Sequence, residues 1–218
     1  MVYYKYVLQE AFSRSSGLGL DAGCGKIGSI ETNPSDIEMV GVDIDRRFVY
    51  SAKHKTSHFS DCVAASLQML PFKSEVFNAV VLQDVLEHVE TKGLVLQEVA
   101  RVMKSKGKFI GSTTNLLNPL MLFDCLAPKW LLKPLVQKFA GEQYERHLRL
   151  TPRLLNDFLA RLFAQWAIQL CGTPQFRPSK YSDKNHVPLF VKLWIWFDKL
   201  TNARLRTFKE MMIFQATK

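Results

Sequence analysis

Leu20-Asp21-Ala22-Gly23-Cys24-Gly25-Lys26-Ile27-Gly28 is the stretch on which the reading of this chain turns. The apolar run Gly17 to Asp21 leads into it. A second apolar run, Met39-Val40-Gly41-Val42, ends twenty residues beyond Gly23 at an acid, Asp43. A strand, a glycine turn, a helix, a second strand and a terminal carboxylate make the layout of a nucleotide-binding βαβ unit. Its glycines let the backbone approach the ligand and its acid takes ribose hydroxyls.

Working outward, Asp45 to Lys53 reads as a helix capped by Asp45, and His58 to Val63 and Val76 to Leu82 read as strands. Between Thr91 and Met103 the apolar residues Leu94, Val95, Val99 and Val102 recur at helical spacing, and Gly107 is expected to stop that helix before a strand from Lys108 to Ser112. Thr151-Pro152 is a cap followed by a proline at the first helical position, opening a helix from Arg153 to Leu162. Ala164 to Leu170 and Glu210 to Ala216 supply two last strands, and Tyr4 to Phe12 an opening helix. Strands alternating with helices over short links predict an α/β fold with a mostly parallel seven-stranded sheet flanked by helices.

At 218 residues the chain suits a single domain. Its expected parts are an N-terminal helix over 1–16, a nucleotide-binding half over 17–112, a helical lid insertion after the fifth strand over 113–150, and a C-terminal half over 151–218 that completes the sheet. The lid is apolar and basic, with Asn118 to Phe123 and Trp130 to Leu135 as its helical pieces. It leaves the carboxyl end of a strand, where open α/β sheets bind ligands. A further apolar helix is expected over 187–203, where Trp194, Trp196 and Phe197 either pack as core or dip into a membrane interface.

Charge is unevenly spread. Residues 1–100 hold nine Lys and Arg against thirteen Asp and Glu, whereas the remainder holds twenty against seven, net +13. The basic half suits an anionic partner or an anionic membrane surface. Cys24, Cys62, Cys125 and Cys171 show no metal-ligand or paired spacing and read as reduced thiols. Met1 to Tyr6 lacks the apolar core of a signal peptide, and Val187 to Phe197, interrupted by Pro188 and Lys192, is far short of a spanning helix. A cytoplasmic setting is expected, with membrane association through the apolar stretches.

Asp21 bears on which nucleotide binds. A pyrophosphate over the glycine turn would be repelled by a carboxylate there, whereas the ammonium and sulfonium of S-adenosylmethionine would be attracted. Five segments then resemble, in order and spacing, the class I S-adenosylmethionine-dependent methyltransferases of the small-molecule branch typified by the ubiquinone/menaquinone enzymes. They are Leu20 to Gly25; Val40 to Asp45; Leu70-Pro71-Phe72 with Phe77 to Val81; Asp84 to Val89; and Glu98 to Lys104 followed by Gly107 to Ile110. The likeness runs from about Leu18 to Leu170. It implies a Rossmann-like fold, S-adenosylmethionine as cofactor, and a cofactor shell of Asp21, Gly23, Gly25, Asp43, Ile44, Ser66, Leu67 and Gln83. Two positions depart from the family's pattern. Ile27 stands where a third glycine is usual, with Gly28 one place late, and Ser66 stands where an aspartate usually bonds the adenine amino group.

Methyl transfer from a sulfonium is an in-line displacement, served by positioning and, for a hydroxyl or acidic carbon, by a base. Gln83-Asp84-Val85-Leu86 lacks the Asn/Asp-Pro-Pro-aromatic loop of amine-directed methyltransferases, which points to an oxygen or carbon acceptor on a small, lipid-like or isoprenoid-like molecule. Glu87 and His88, just past the fourth strand, are the candidate catalytic pair, with the same dipeptide able to serve only as packing. His147, before the Thr-Pro helix start, is a third candidate at the lid's return. Asp84, Glu87 and His88 also resemble a pattern that holds a divalent cation in some oxygen-directed relatives, but no metal is assigned. The competing readings are an RNA methyltransferase, for which the basic half would meet phosphates, and a non-catalytic cofactor-binding subunit, for which Ser66 and the late glycine speak.

Overall fold

The computed structural model describes residues 12, 16–29, 37–130, 132–134, 149–171, 209 and 211–218. Outside them lie all of the expected opening helix but Phe12, the stretch Tyr144 to His147, and the apolar run Val187 to Phe197. The helix expected between the first two strands falls largely on undescribed positions; residues 23–29 form turns.

Seven strands form one sheet in the order β3-β2-β1-β4-β5-β7-β6. They are β1 (Gly17–Ala22), β2 (Ile37–Asp43), β3 (Phe59–Ala64), β4 (Phe77–Gln83), β5 (Met103–Thr114), β6 (Gln165–Cys171) and β7 (Met211–Thr217). β1 to β5 run parallel, and β7 enters antiparallel between β5 and β6. Among the described residues the α-helices are α1 (Arg46–Lys55), α2 (Lys92–Val102), α3 (Pro119–Leu126) and α4 (Pro152–Leu162).

The central strands read as continuous apolar runs because both of their faces are covered. Along β4, Val80 and Leu82 join one core with Leu20, Phe109, Phe214, Leu96, Val99, Leu155 and Leu159. Ala79 and Val81 point the other way, to Phe12, Met39, Ile110 and Ile213. α1 starts where expected: the Asp45 side chain accepts from the Arg47 N–H, and Lys53, His54 and Lys55 close its last turn, where cations meet the negative end of the helix dipole. α4 likewise has Thr151 as its cap, accepting from the Leu154 N–H, with Pro152 in its first turn.

Two expectations are corrected. Gly107 does not stop α2. The helix ends at Val102, Met103 pairs at once with Phe77, and the extra residues up to Gly107 are absorbed by a register break before Ala79 pairs with Lys108. Lys106, at φ 63°, marks that break. On α2, Val95, Leu96, Val99 and Val102 are buried, while Leu94 is 48% exposed. β5 runs to Thr114, so the segment expected as a lid from 113 begins two residues later, at Asn115, which forms a bridge with Leu150.

Phe109 is fully buried, stacked on Phe163 at 5.4 Å and edge-on to Phe214 at 5.3 Å. Phe109→Ala is expected to cost about 3–5 kcal/mol, the range for deleting a buried aromatic ring. Urea unfolding of the two proteins measures it, and a loss below about 1 kcal/mol would mean that β5 and β7 do not meet as described.

Candidate active site

The carboxyl ends of β1 to β5 share one edge of the sheet, and strand order reverses between β1 and β4, where open α/β sheets leave a crevice. The residues singled out from the sequence converge there. Past β1 the chain turns at Gly23, whose φ of +83° and whose approach to Val85, 2.4 Å from where a Cβ would stand, both demand glycine. The N–H groups of Gly23 and Cys24 donate to the Val42 carbonyl at 2.7 and 2.9 Å, tying the turn to β2.

Asp43 holds the other side of the crevice. One of its carboxylate oxygens accepts the Gly25 N–H at 3.0 Å and the other accepts the Asp45 N–H at 2.9 Å. An ionised carboxylate offers about four lone-pair sites, so two remain for a ligand's hydroxyls. A Cβ on Gly25 would meet nothing within 4 Å, so the space above this turn is open. Ile44, 75% exposed, adds an apolar surface beside it.

Asp21 sits differently from its sequence expectation. It is fully buried beneath the turn, and Ser29 donates to both of its oxygens, from N–H at 2.6 Å and from Oγ at 2.7 Å. Burial pushes its carboxyl up from 3.8 to about 6; the Ser29 bonds pull it down and the Asp43 charge adds to the rise. The carboxylate therefore anchors the loop through Ser29. Gly28, late by one place in sequence, has φ +78°, and a Cβ there would lie 2.8 Å from the Phe59 ring. The third glycine lets the loop close on β3 while Ile27 points outward, 66% exposed.

On the β3 side, Ser66 is half-buried, and its Oγ accepts the Gln68 N–H at 3.2 Å, leaving a second lone pair. Leu67 turns its side chain into the main core. Gln83, the last residue of β4, is half-buried and pairs with Ser112 of β5.

Beyond Gln83 lies a cluster of polar groups that the sequence showed only in part. Asp84 adopts φ +52°, a conformation that costs a non-glycine residue energy, and accepts from Ser112 Oγ at 2.7 Å. Glu87, 5% exposed on the turn Leu86–His88, accepts from Thr113 Oγ1 at 2.8 Å. His88 is exposed, its N–H donating to the Val85 carbonyl at 2.9 Å. Arg149 pairs with Asp124 of α3, and Asn115 is buried, donating to the Lys209 carbonyl at 2.8 Å. Ser112, Thr113, Asp124 and Arg149 were not singled out from the sequence. The polar run Ser112 to Asn115 closing an apolar strand was the available signal. His147 lies outside the described residues. Among the described residues no three His, Cys, Asp or Glu side chains are grouped to hold a metal ion.

With this geometry in place, residues 20–111 match the family model described as "Methyltransferase domain". The resemblance read from the five sequence segments is borne out over that span. Among curated relatives, an uncharacterized protein of Methanocaldococcus jannaschii is 31% identical over 109 residues, covering 50% of this chain and 46% of the relative. The uncharacterized methyltransferase YodH of Bacillus subtilis is 30% identical over 125 residues, 55% of this chain and 53% of the relative. The chain thus spans about half the length of the curated relatives it matches.

Solved structures share the fold, as expected. Haemonchus contortus phosphoethanolamine N-methyltransferase 2, in complex with S-adenosyl-L-methionine, superposes with a TM-score of 0.67 at 14% identity, over 100% of this chain and 52% of that one. Streptomyces coelicolor geranyl diphosphate C-methyltransferase, in complex with Mg2+, geranyl diphosphate and S-adenosyl-L-homocysteine, gives 0.62 at 13% identity, over 99% and 77%.

Burial pushes the Glu87 carboxyl up from 4.5 to about 7, the Asp84 charge adding to the rise while Thr113 and Arg149 counter it. A carboxyl whose folded value is raised contributes stability that is present below pH 4.5 and is lost as pH rises through about 7. Glu87→Gln stays neutral throughout. Wild type is therefore expected to lose stability relative to the Gln variant between those two pH values. Urea midpoints taken across the range check this; parallel curves would show that Glu87 is not buried as described.

Proposed function

We propose that this chain transfers the methyl group of S-adenosylmethionine to an oxygen or carbon of a small, lipid-like or isoprenoid-like acceptor. The observation that supports it most is the crevice at β1, β2 and β4. There an open glycine turn meets a carboxylate with spare acceptor sites, within the segment matched as a methyltransferase domain.

The residues present suit S-adenosylmethionine. Asp43 takes the ribose hydroxyls, Ile44 lies against the adenine, Ser66 accepts from its amino group, and the turn at Gly23 and Gly25 faces the amino-acid end. The field of Asp21 and Asp43 favours the cationic groups there. Bound in this way, the donor supplies an activated methyl on a sulfonium, and the protein's task is to align the acceptor with it.

Asp43→Ala is expected to weaken S-adenosylmethionine binding by roughly 1.5–3 kcal/mol, the range for hydrogen bonds to a charged group. Calorimetric titration measures it. Unchanged affinity would remove Asp43 from the site, and tight binding of a nicotinamide dinucleotide would overturn the class.

On the acceptor side, Glu87 and His88 take different roles. Glu87 is buried and bonded to Thr113, so it anchors the turn beyond β4 and sets the charge there. His88 is exposed on the same turn and is the base where the acceptor is a hydroxyl or acidic carbon, imidazole being the side chain most often used for that work. His147, outside the described residues, stays the third candidate for the acceptor side from its sequence pattern alone. His88→Ala is then expected to lower turnover on the order of 10²-fold while leaving cofactor affinity unchanged. Full activity with lowered thermal stability would assign His88 to packing.

The structural neighbours include, by name, both an N- and a C-methyltransferase, so the acceptor atom is read from the loop after β4 rather than from the fold. That loop lacks the amine-directed signature. A cytoplasmic setting belongs to the same reading, supported by four free thiols. Labelled methyl transfer into a cell extract, fractionated into lipid, RNA and protein, tests the acceptor class. Label in lipid supports the reading, label in RNA replaces it with the nucleic-acid alternative, and no label despite cofactor binding replaces it with a non-catalytic subunit.

A further inference from the structure

The segment that follows β5 carries an apolar surface that the crevice does not use. Leu122 and Leu126, four residues apart on α3, are 41% and 74% exposed, and Trp130, on the helical turn that follows the break at Ala127 and Pro128, is 76% exposed. The opposite side of α3 is turned inward. Met121, Asp124 and Cys125 are half-buried there, and Asp124 is fixed by its ion pair with Arg149. That pair settles which side of the helix looks outward.

Two exposed cations, Lys129 and Lys133, flank Trp130. The one acid in the sequence from 115 to 134 is Asp124, which Arg149 already holds. The outward face is therefore apolar in its middle and positive at its rim. Aliphatic side chains and a tryptophan beside lysines match the boundary of a bilayer, where apolar groups enter the acyl region and cations meet headgroup phosphates. RNA would use stacked aromatics and arginines rather than two leucines. A second copy meeting this patch by two-fold symmetry would set Lys129 and Lys133 against their own counterparts.

We propose that the face formed by Leu122, Leu126 and Trp130, rimmed by Lys129 and Lys133, seats the protein on an anionic lipid bilayer. The proposal rests on the reading of the acceptor as lipid-like. It gives that reading a route, since α3 follows the end of β5, where Ser112 and Thr113 bond Asp84 and Glu87 beyond β4. An acceptor dissolved in the bilayer then enters beside the site without crossing water.

The test is co-sedimentation of the full chain with vesicles of phosphatidylcholine alone or with added phosphatidylglycerol, at low and high salt. Wild type is expected to pellet with the anionic vesicles at low salt and to be released by salt. Changing Lys129 and Lys133 to Gln should lower the partition coefficient about fivefold for each lysine. Changing Leu126 and Trp130 to Gln should abolish sedimentation even at full anionic content. Recovery of wild type in the supernatant under every condition overturns the proposal, as does binding that all four substitutions leave intact. Salt-sensitive retention of RNA without vesicle binding replaces the bilayer with nucleic acid, and concentration-dependent dimerisation lost in the Leu126 and Trp130 variant replaces it with a second copy. Calorimetry with S-adenosylmethionine on the same preparations separates the two levels. Vesicle binding without cofactor binding overturns the methyltransferase reading alone, and cofactor binding without vesicle binding overturns the surface alone.

Discussion

β1 is hydrogen-bonded on both sides, to β2 over six residues and to β4 over three, and the crevice exists because of that double pairing. A strand held between two parallel neighbours and covered on both faces must be apolar along its length, so its first polar function comes at its end. Asp21 stands at that end and sits under the turn it anchors through Ser29. From there the Gly23 and Cys24 N–H groups reach across to Val42, and Asp43 reaches back to Gly25. Each loop around the crevice is thus fixed by a bond whose partner is fixed by the sheet.

The same arrangement places carboxyl groups where water is scarce. Asp21 and Glu87 are both buried and both hold protons more tightly than usual. Each is satisfied by a hydroxyl donor, Ser29 or Thr113, rather than by a full salt bridge, which leaves its charge state responsive to what enters the crevice. A group of this kind costs stability at neutral pH and belongs where the chemistry benefits, a trade commonly found at sites.

Most of the strand-helix alternation was legible because its signals are local. The Thr151-Pro152 start, the Asp45 cap and the glycine turn each act within a few residues of themselves. The error at Gly107 arose because a glycine next to a helix normally ends it, whereas here pairing of Met103 with Phe77 ended the helix first. At the site, the glycines and Asp43 were readable from spacing. The bonds from Ser112 to Asp84 and from Thr113 to Glu87 were not, since their partners are 28 and 26 residues apart and meet only once β4 and β5 pair. The inward burial of Asp21 was hidden for a similar reason: its partner Ser29 lies past the turn.

The place of β7 has a consequence for how the molecule is made. It lies between β5 and β6, yet it follows both in the chain, so β6 does not join the sheet through β7 until β7 arrives. A nascent chain that has already formed β1 to β5 would wait with the outer edge of β5 open, its N–H and C=O groups unpaired, while the intervening residues emerge at about 5–20 per second. Open strand edges recruit other chains. The edge of β5 stays open to such pairing until Met211–Thr217 slots in beside it.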